Sequence, residues 1–86
     1  MTYNGWTNYE TWLVNLWLDE EDSKAELWDQ VDMTQADAVR ELATVIEDSV
    51  IDRVDEMGIE NGMVRDLIGS ALSEVNWDEI ARSMVE

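Results

Sequence analysis

Apolar positions recur at helical spacing along most of the chain, and no stretch sustains a period-two alternation of apolar and polar residues. The first such run is the densest. Tyr9, Trp12, Leu13, Leu16 and Trp17 stand at i, i+3, i+4, i+7 and i+8, which places them on one stripe of a helix over about residues 8–18. Thr7-Asn8-Tyr9-Glu10 has capping-box spacing, with the Thr7 hydroxyl set to take a free amide of the first turn while Glu10 reaches back. A large aromatic side chain buries roughly 150–250 Å², so the stripe is expected to supply much of the core. Ahead of it, residues 1–6 read as extended, with Gly5 permitting a turn and Trp6 folding back toward the helix. Tyr3 and Trp6, outside the helix, are expected to stay partly exposed.

The acidic link Asp19-Glu20-Glu21-Asp22 suits the start of a helix better than its end. Ser23-Lys24-Ala25-Glu26 is a second capping box, opening a short helix through Leu27, Trp28 and Val31 that breaks at Asp32-Met33-Thr34. With Thr34 as its cap, a long helix is predicted from about Gln35 to Met57. Its seam is Ala36, Val39, Ala43, Ile46, Val50, Val54 and Met57, broadened by Leu42 and Val45. Gly58 is placed to close it in the left-handed conformation. Asn61-Gly62 opens a fourth helix with Val64, Leu67, Ile68, Ala71, Leu72 and Val75 on one face. Gly69 inside that helix costs up to about 1 kcal/mol relative to Ala and implies close packing against a neighbour. Asn76-Trp77-Asp78-Glu79 caps a fifth helix carrying Ile80, Ala81, Met84 and Val85. The fold class expected is all-α: one compact acidic domain over residues 1–86, of about five helices around a long central acidic one.

Composition narrows the chemistry. The chain has neither Cys nor His, which removes disulfides, thiolate catalysis, Cys-based zinc sites, the commonest general base and the commonest metal ligand. No nucleophile–base pair or Gly-rich phosphate loop is present, so no enzyme and no cofactor is expected. Asp19-Glu20-Glu21-Asp22 is a poor cation site because adjacent positions seldom converge on one ion, and residues 52–63 lack the ligand alternation of an EF-hand. No apolar run approaches the roughly 18 residues of a membrane span, and no signal peptide is read before the first helix; a cytoplasmic protein is expected. Against five Lys and Arg stand 21 Asp and Glu, a formal net charge of −16. Direct partnership with nucleic acid or an anionic membrane is disfavoured, and basic surfaces are favoured instead. The 45% hydrophobic content with five Trp separates the chain from acidic disordered sequences.

Two stretches together resemble the opening and ending of a family of small uncharacterised proteins encoded mainly by phages, plasmids and other mobile elements. The opening is Asn4-Gly5-Trp6-Thr7-Asn8-Tyr9-Glu10-Thr11-Trp12 with Leu16-Trp17, and the ending is Leu72-Ser73-Glu74-Val75-Asn76-Trp77-Asp78-Glu79-Ile80-Ala81. The resemblance covers the ends of the chain and leaves its acidic middle unmatched. It carries over no catalytic residues. It implies a mobile-element origin and, with it, a protein acting on host defence or host machinery.

On the long helix Asp37, Glu41, Asp48, Asp52 and Asp55 fall close to one line, with Glu47 and Glu56 beside it. Neighbours three or four apart have Cβ atoms about 5–6 Å apart, a row of negative charge comparable in spacing to backbone phosphates. A solvated face on an acidic protein explains the same pattern, as does adaptation to high internal salt. Combined with the resemblance, the row points to an inhibitor that enters a basic nucleic-acid site of a host restriction or CRISPR effector as a phosphate mimic. The partner-binding residues expected are Asp19, Glu20, Glu21, Asp22, Glu41, Glu47, Asp48, Asp52, Asp55 and Glu56. Only Arg40 and Arg53 interrupt the helix's negative charge, so most of these carboxylates are expected to lack an internal partner. The competing reading is a small interaction module, or a homodimer, working through Tyr3, Trp6 and Trp12.

Overall fold

The computed structural model describes residues 2–21 and 23–85. Among them are five helices: α1 (Tyr9–Glu20), α2 (Lys24–Asp29), α3 (Ala38–Glu56), α4 (Gly62–Ser73) and α5 (Trp77–Val85). No strand is formed by the described residues, and the all-α domain read from the sequence is what the chain builds.

A tight turn precedes α1. Asn4 and Gly5 both take positive φ, at 49° and 89°, and Tyr3 and Trp6 exchange backbone hydrogen bonds of 2.7 and 2.8 Å across them. Asn-Gly is the pair that populates such a turn at least cost. Trp6 folds back and is half-buried against the core, so it stays partly exposed as expected, and Tyr3 is exposed.

The core sits between α5 and the first half of α3. Leu42 and Ile46 of α3 and Ile80 and Ala81 of α5 are completely buried, and Leu18, Leu27, Ala38, Ala43 and Val75 close around them. Each fully buried large aliphatic contributes about 1.5–3 kcal/mol, so α3 and α5 form the energetic centre. α1 reaches this core with an unexpected face. Thr11 and Leu18 are its buried residues and Val14 packs beside them, while Tyr9, Leu16 and Trp17 are 46%, 36% and 56% exposed. The aromatic stripe therefore does not form the core. At about 100° per residue Thr11 and Leu18 share a side, and Tyr9 and Leu16 lie half a turn away. The rings shelter one another instead: Tyr3 lies 5.1 Å from Tyr9 and 5.0 Å from Trp12, centroid to centroid.

Three caps differ from the spacing-based assignment. Asn8, not Thr7, caps α1, accepting from the Thr11 amide at 2.9 Å. Ser23 makes no capping bond at α2; its hydroxyl accepts from Arg53 at 3.1 Å. Thr34 does not cap α3, because its amide and hydroxyl both donate to Asp32, at 3.0 and 2.6 Å. Those bonds, the hydroxyl's first, hold the Asp32 carboxyl below its ordinary pKa. α3 consequently starts at Ala38 rather than Gln35. Gly58 closes it at φ 62° as expected, and Asn61 caps α4 by accepting from the Val64 amide at 3.0 Å. Gly69 does not mark a close approach: a Cβ placed there meets nothing within 4 Å.

Candidate partner-binding surface

α3 continues about three turns past its last buried residue, Ile46, and this extension carries five of the helix's six carboxylates. Asp48, Asp52 and Glu56 succeed one another at intervals of four residues and line an open concavity of about 350 Å³ with Gln30, Val45, Ser49 and Arg53. The spacing places them on one edge of the helix. Glu41 stands exposed at the start of α3. Among the described residues, Glu41, Asp48, Asp52 and Glu56 have no ion-pair partner.

Other expected carboxylates are spent inside the molecule. Asp19 pairs with Lys24 at 2.8 Å, and the same ammonium donates to Asn15 at 2.6 Å. Glu21 pairs with Arg53, whose second nitrogen is held by Ser23, so the end of α1 is fastened to α3. Asp55 lies 3.8 Å from Arg65 of α4. Most of the expected carboxylates among the described residues lack an ion-pair partner, as expected, and these three are the exceptions because cations reach them from other helices. Glu47 is half-buried and turned from the acidic edge, lining the concavities toward α4 and toward the start of α5. Glu20 is exposed and has no ion pair among the described residues, outside which Asp22 lies. No group of three or more carboxylates among the described residues is placed to hold a metal ion, and no helix among them is long and apolar enough to cross a membrane.

The strongest polar construction lies elsewhere, where the opening and ending signatures meet. Thr11 is completely buried; its hydroxyl donates to Asn8 Oδ1 at 2.6 Å and accepts from the Asn76 amide at 2.9 Å. Asn8 Nδ2 donates to the Glu74 carbonyl at 2.6 Å, and the Thr7 amide donates to Glu79 Oε1 at 2.9 Å. Asn76 Oδ1 caps α5 by accepting from the Glu79 amide at 3.1 Å. The start of α1 and the start of α5 thus each bond a group of the other. No buried side-chain nitrogen or oxygen among the described residues is left without a partner. Thr11 carries no chemistry of its own; it is a structural hub, and its polar identity amid the apolar residues of α1 is the one sequence signal that marks it.

The model of a family of unknown function, DUF7249, matches the chain over residues 1–86. No curated protein and no solved structure matches it.

Proposed function

We propose that this chain, which belongs to DUF7249, is a non-enzymatic inhibitor encoded by a mobile element. It binds the basic nucleic-acid site of a host defence protein, a restriction or CRISPR effector, and excludes nucleic acid from it. One observation carries the reading: Asp48, Asp52 and Glu56 form an open carboxylate edge with no ion-pair partner among the described residues. On a chain with a net charge of −16, that edge steers toward Arg and Lys clusters over about a Debye length, roughly 8–10 Å at ordinary salt. Glu41 and Glu20 add charge without an ion pair, whereas Asp19, Glu21 and Asp55 contribute less because each already has a cation beside it.

The test is charge reversal of Asp48, Asp52 and Glu56 to Lys, with helicity checked by circular dichroism. The wild-type protein should recover a basic nucleic-acid-binding protein from host lysate at low salt, lose it at high salt and yield it to competing DNA or RNA. The reversed variant should recover none. If it folds and still blocks the effector's nucleic-acid binding at full strength, the mimicry reading is wrong.

A second reading is favoured by the outward stripe of α1, since exposed Trp and Tyr are enriched among binding hot spots. Glu10 is the only charged side chain before Asp19, so this face is the part of the surface on which a second copy meets least repulsion. Here the probe is Trp17 rather than Trp6, which packs against the core. A homodimer through this face predicts that Trp17→Ala lowers the mass measured by light scattering, while the charge-reversed variant keeps it.

A further inference from the structure

The chain has two Asn-Gly pairs, Asn4-Gly5 and Asn61-Gly62, and the fold treats them differently. When Gly follows Asn, its backbone nitrogen reaches the Asn side-chain carbonyl carbon with no Cβ to shield the approach, and the reaction is intramolecular. Asn8, Asn15 and Asn76 are followed instead by Tyr9, Leu16 and Trp77, and each has its side chain in a hydrogen bond. Asn61 uses its side chain to cap α4, accepting from the Val64 amide at 3.0 Å, and Gly62 is the first residue of that helix. Asn4 has no such duty. Among the described residues its side chain makes no hydrogen bond and the Gly5 amide donates none, and a Cβ placed on Gly5 meets nothing within 4 Å. Both residues are exposed.

The turn that Asn4 and Gly5 make at positive φ is closed by Tyr3 and Trp6, bonded across it at 2.7 and 2.8 Å. Those bonds engage neither the Asn4 side chain nor the Gly5 amide. They lie in an exposed turn ahead of the first helix, where local opening costs least. Tyr3 in turn packs edge-on to Tyr9, 5.1 Å between centroids at 81°, and stands 5.0 Å from Trp12. A link of two residues therefore sets the place of one ring of the aromatic cluster. Its surroundings carry little charge of their own, since Glu10 is the only charged side chain before Asp19.

We propose that Asn4-Gly5 is a self-modification site whose conversion releases Tyr3 from the aromatic cluster. The Gly5 nitrogen bonds to Asn4 Cγ and gives up its proton, and the side-chain nitrogen leaves as ammonia, which closes a succinimide ring. Water then opens one of the two ring carbonyls. One opening leaves aspartate at this position. The other leaves isoaspartate, in which the main chain runs through Cγ and is longer by one methylene. The net change is water in and ammonia out, with no oxidant or reductant. Either product adds a carboxylate beside rings that have only Glu10 near them in sequence. Isoaspartate alone lengthens the link between Tyr3 and Trp6, so their two bonds no longer close together and Tyr3 leaves Tyr9 and Trp12. No residue of the Asp48–Asp52–Glu56 edge takes part, and the inference stands apart from phosphate mimicry.

The folded protein is held in mildly alkaline buffer, sampled over days, cut with trypsin and followed by mass spectrometry. Cleavage after Lys24, Arg53 and Arg65 puts Asn4 and Asn61 in separate peptides. Asn4 should convert faster than Asn61 by about fivefold or more, the factor by which a helix cap of ordinary strength holds its side chain back. In urea, with turn and cap both lost, the two rates should converge. Equal rates in the folded protein, a faster Asn61, or the same ratio in urea would overturn the assignment of Asn4. The release of Tyr3 is read by NMR on the converted protein. Nuclear Overhauser contacts of the Tyr3 ring with Tyr9 and Trp12 should fade in proportion to the isoaspartate content. Asn4→Asp, which adds the charge without the methylene, should keep them. Contacts that persist in the isoaspartate form, or that vanish equally in Asn4→Asp, overturn the release.

Discussion

The two halves of α3 are built differently. Its first half presents Ala38, Leu42, Ala43 and Ile46 to the interior, all buried, and meets α5 where the chain's two ends are tied by Asn8, Thr11, Asn76 and Glu79. From Glu47 to Glu56 no residue is buried, and the helix beside that half, α4, buries none either. A domain of this size has little hydrophobic surplus. Met57, Met63 and Leu67, left in solvent, therefore contribute little of the burial that holds such a domain together. The contrast separates what holds the molecule together from what it offers to others. It also gives the signature residues a structural role. Asn8, Thr11 and Asn76, from the two ends of the chain, form the internal tie, while the carboxylate edge of Asp48, Asp52 and Glu56 lies on the acidic middle.

The sharpest way to break this contrast is to remove equal bulk from both regions. Ile80→Ala deletes a completely buried side chain and should cost about 2–5 kcal/mol, lost burial plus the cavity left behind. Leu67→Ala, on α4, should change stability by no more than about 0.5 kcal/mol. Urea unfolding of the two variants measures both, and comparable losses would mean that α4 packs as firmly as α5. Next in size is the tie itself. Thr11→Val keeps the shape but leaves the partly buried Asn76 amide and Asn8 Oδ1 each one bond short, a loss of about 1–3 kcal/mol. Thr11→Ser, which keeps the hydroxyl, should recover most of it. In a domain this small each kcal/mol moves the melting temperature by roughly 4–8 °C, so thermal melts resolve the pair.

Local rules carried a good part of this architecture. The α3 seam from Val39 to Ile46, the Gly58 stop, and the Asn61 and Asn76 starts depend on residues within a turn of one another, and each appears where its spacing puts it. The inversion of α1 does not. Periodicity says which residues share a side but not which side turns inward, and here the choice follows a hydrogen bond between Thr11 and Asn76, 65 positions apart. The acidic site divides along the same boundary. The four-residue spacing of Asp48, Asp52 and Glu56 survives as one edge because it is internal to a helix. Glu21 and Asp55 lost their expected freedom to Arg53 and Arg65, cations whose positions only tertiary packing decides. Glu47, adjacent to Asp48 in sequence, is turned toward α4 by the step of about 100° that separates any two helical neighbours.

The smallest effect expected is the one that tells most about the loose region. Gly69 lies inside α4, and a Cβ added there meets no atom within 4 Å. If α4 holds this position in solution, Gly69→Ala removes backbone freedom from the unfolded chain without a clash and should stabilise the helix by about 0.5–1 kcal/mol. The gain is distributed according to how α4 opens. Should α4 detach while α3 and α5 remain folded, hydrogen exchange of its own amides slows several-fold and the global melt barely moves; should it unfold only with the core, both shift together. The first pattern marks α4 as a separately opening element, in keeping with its lack of buried side chains. A loss of stability instead of a gain would show that position 69 is crowded in solution, and that α4 closes on α3 more tightly than the concavity between them allows.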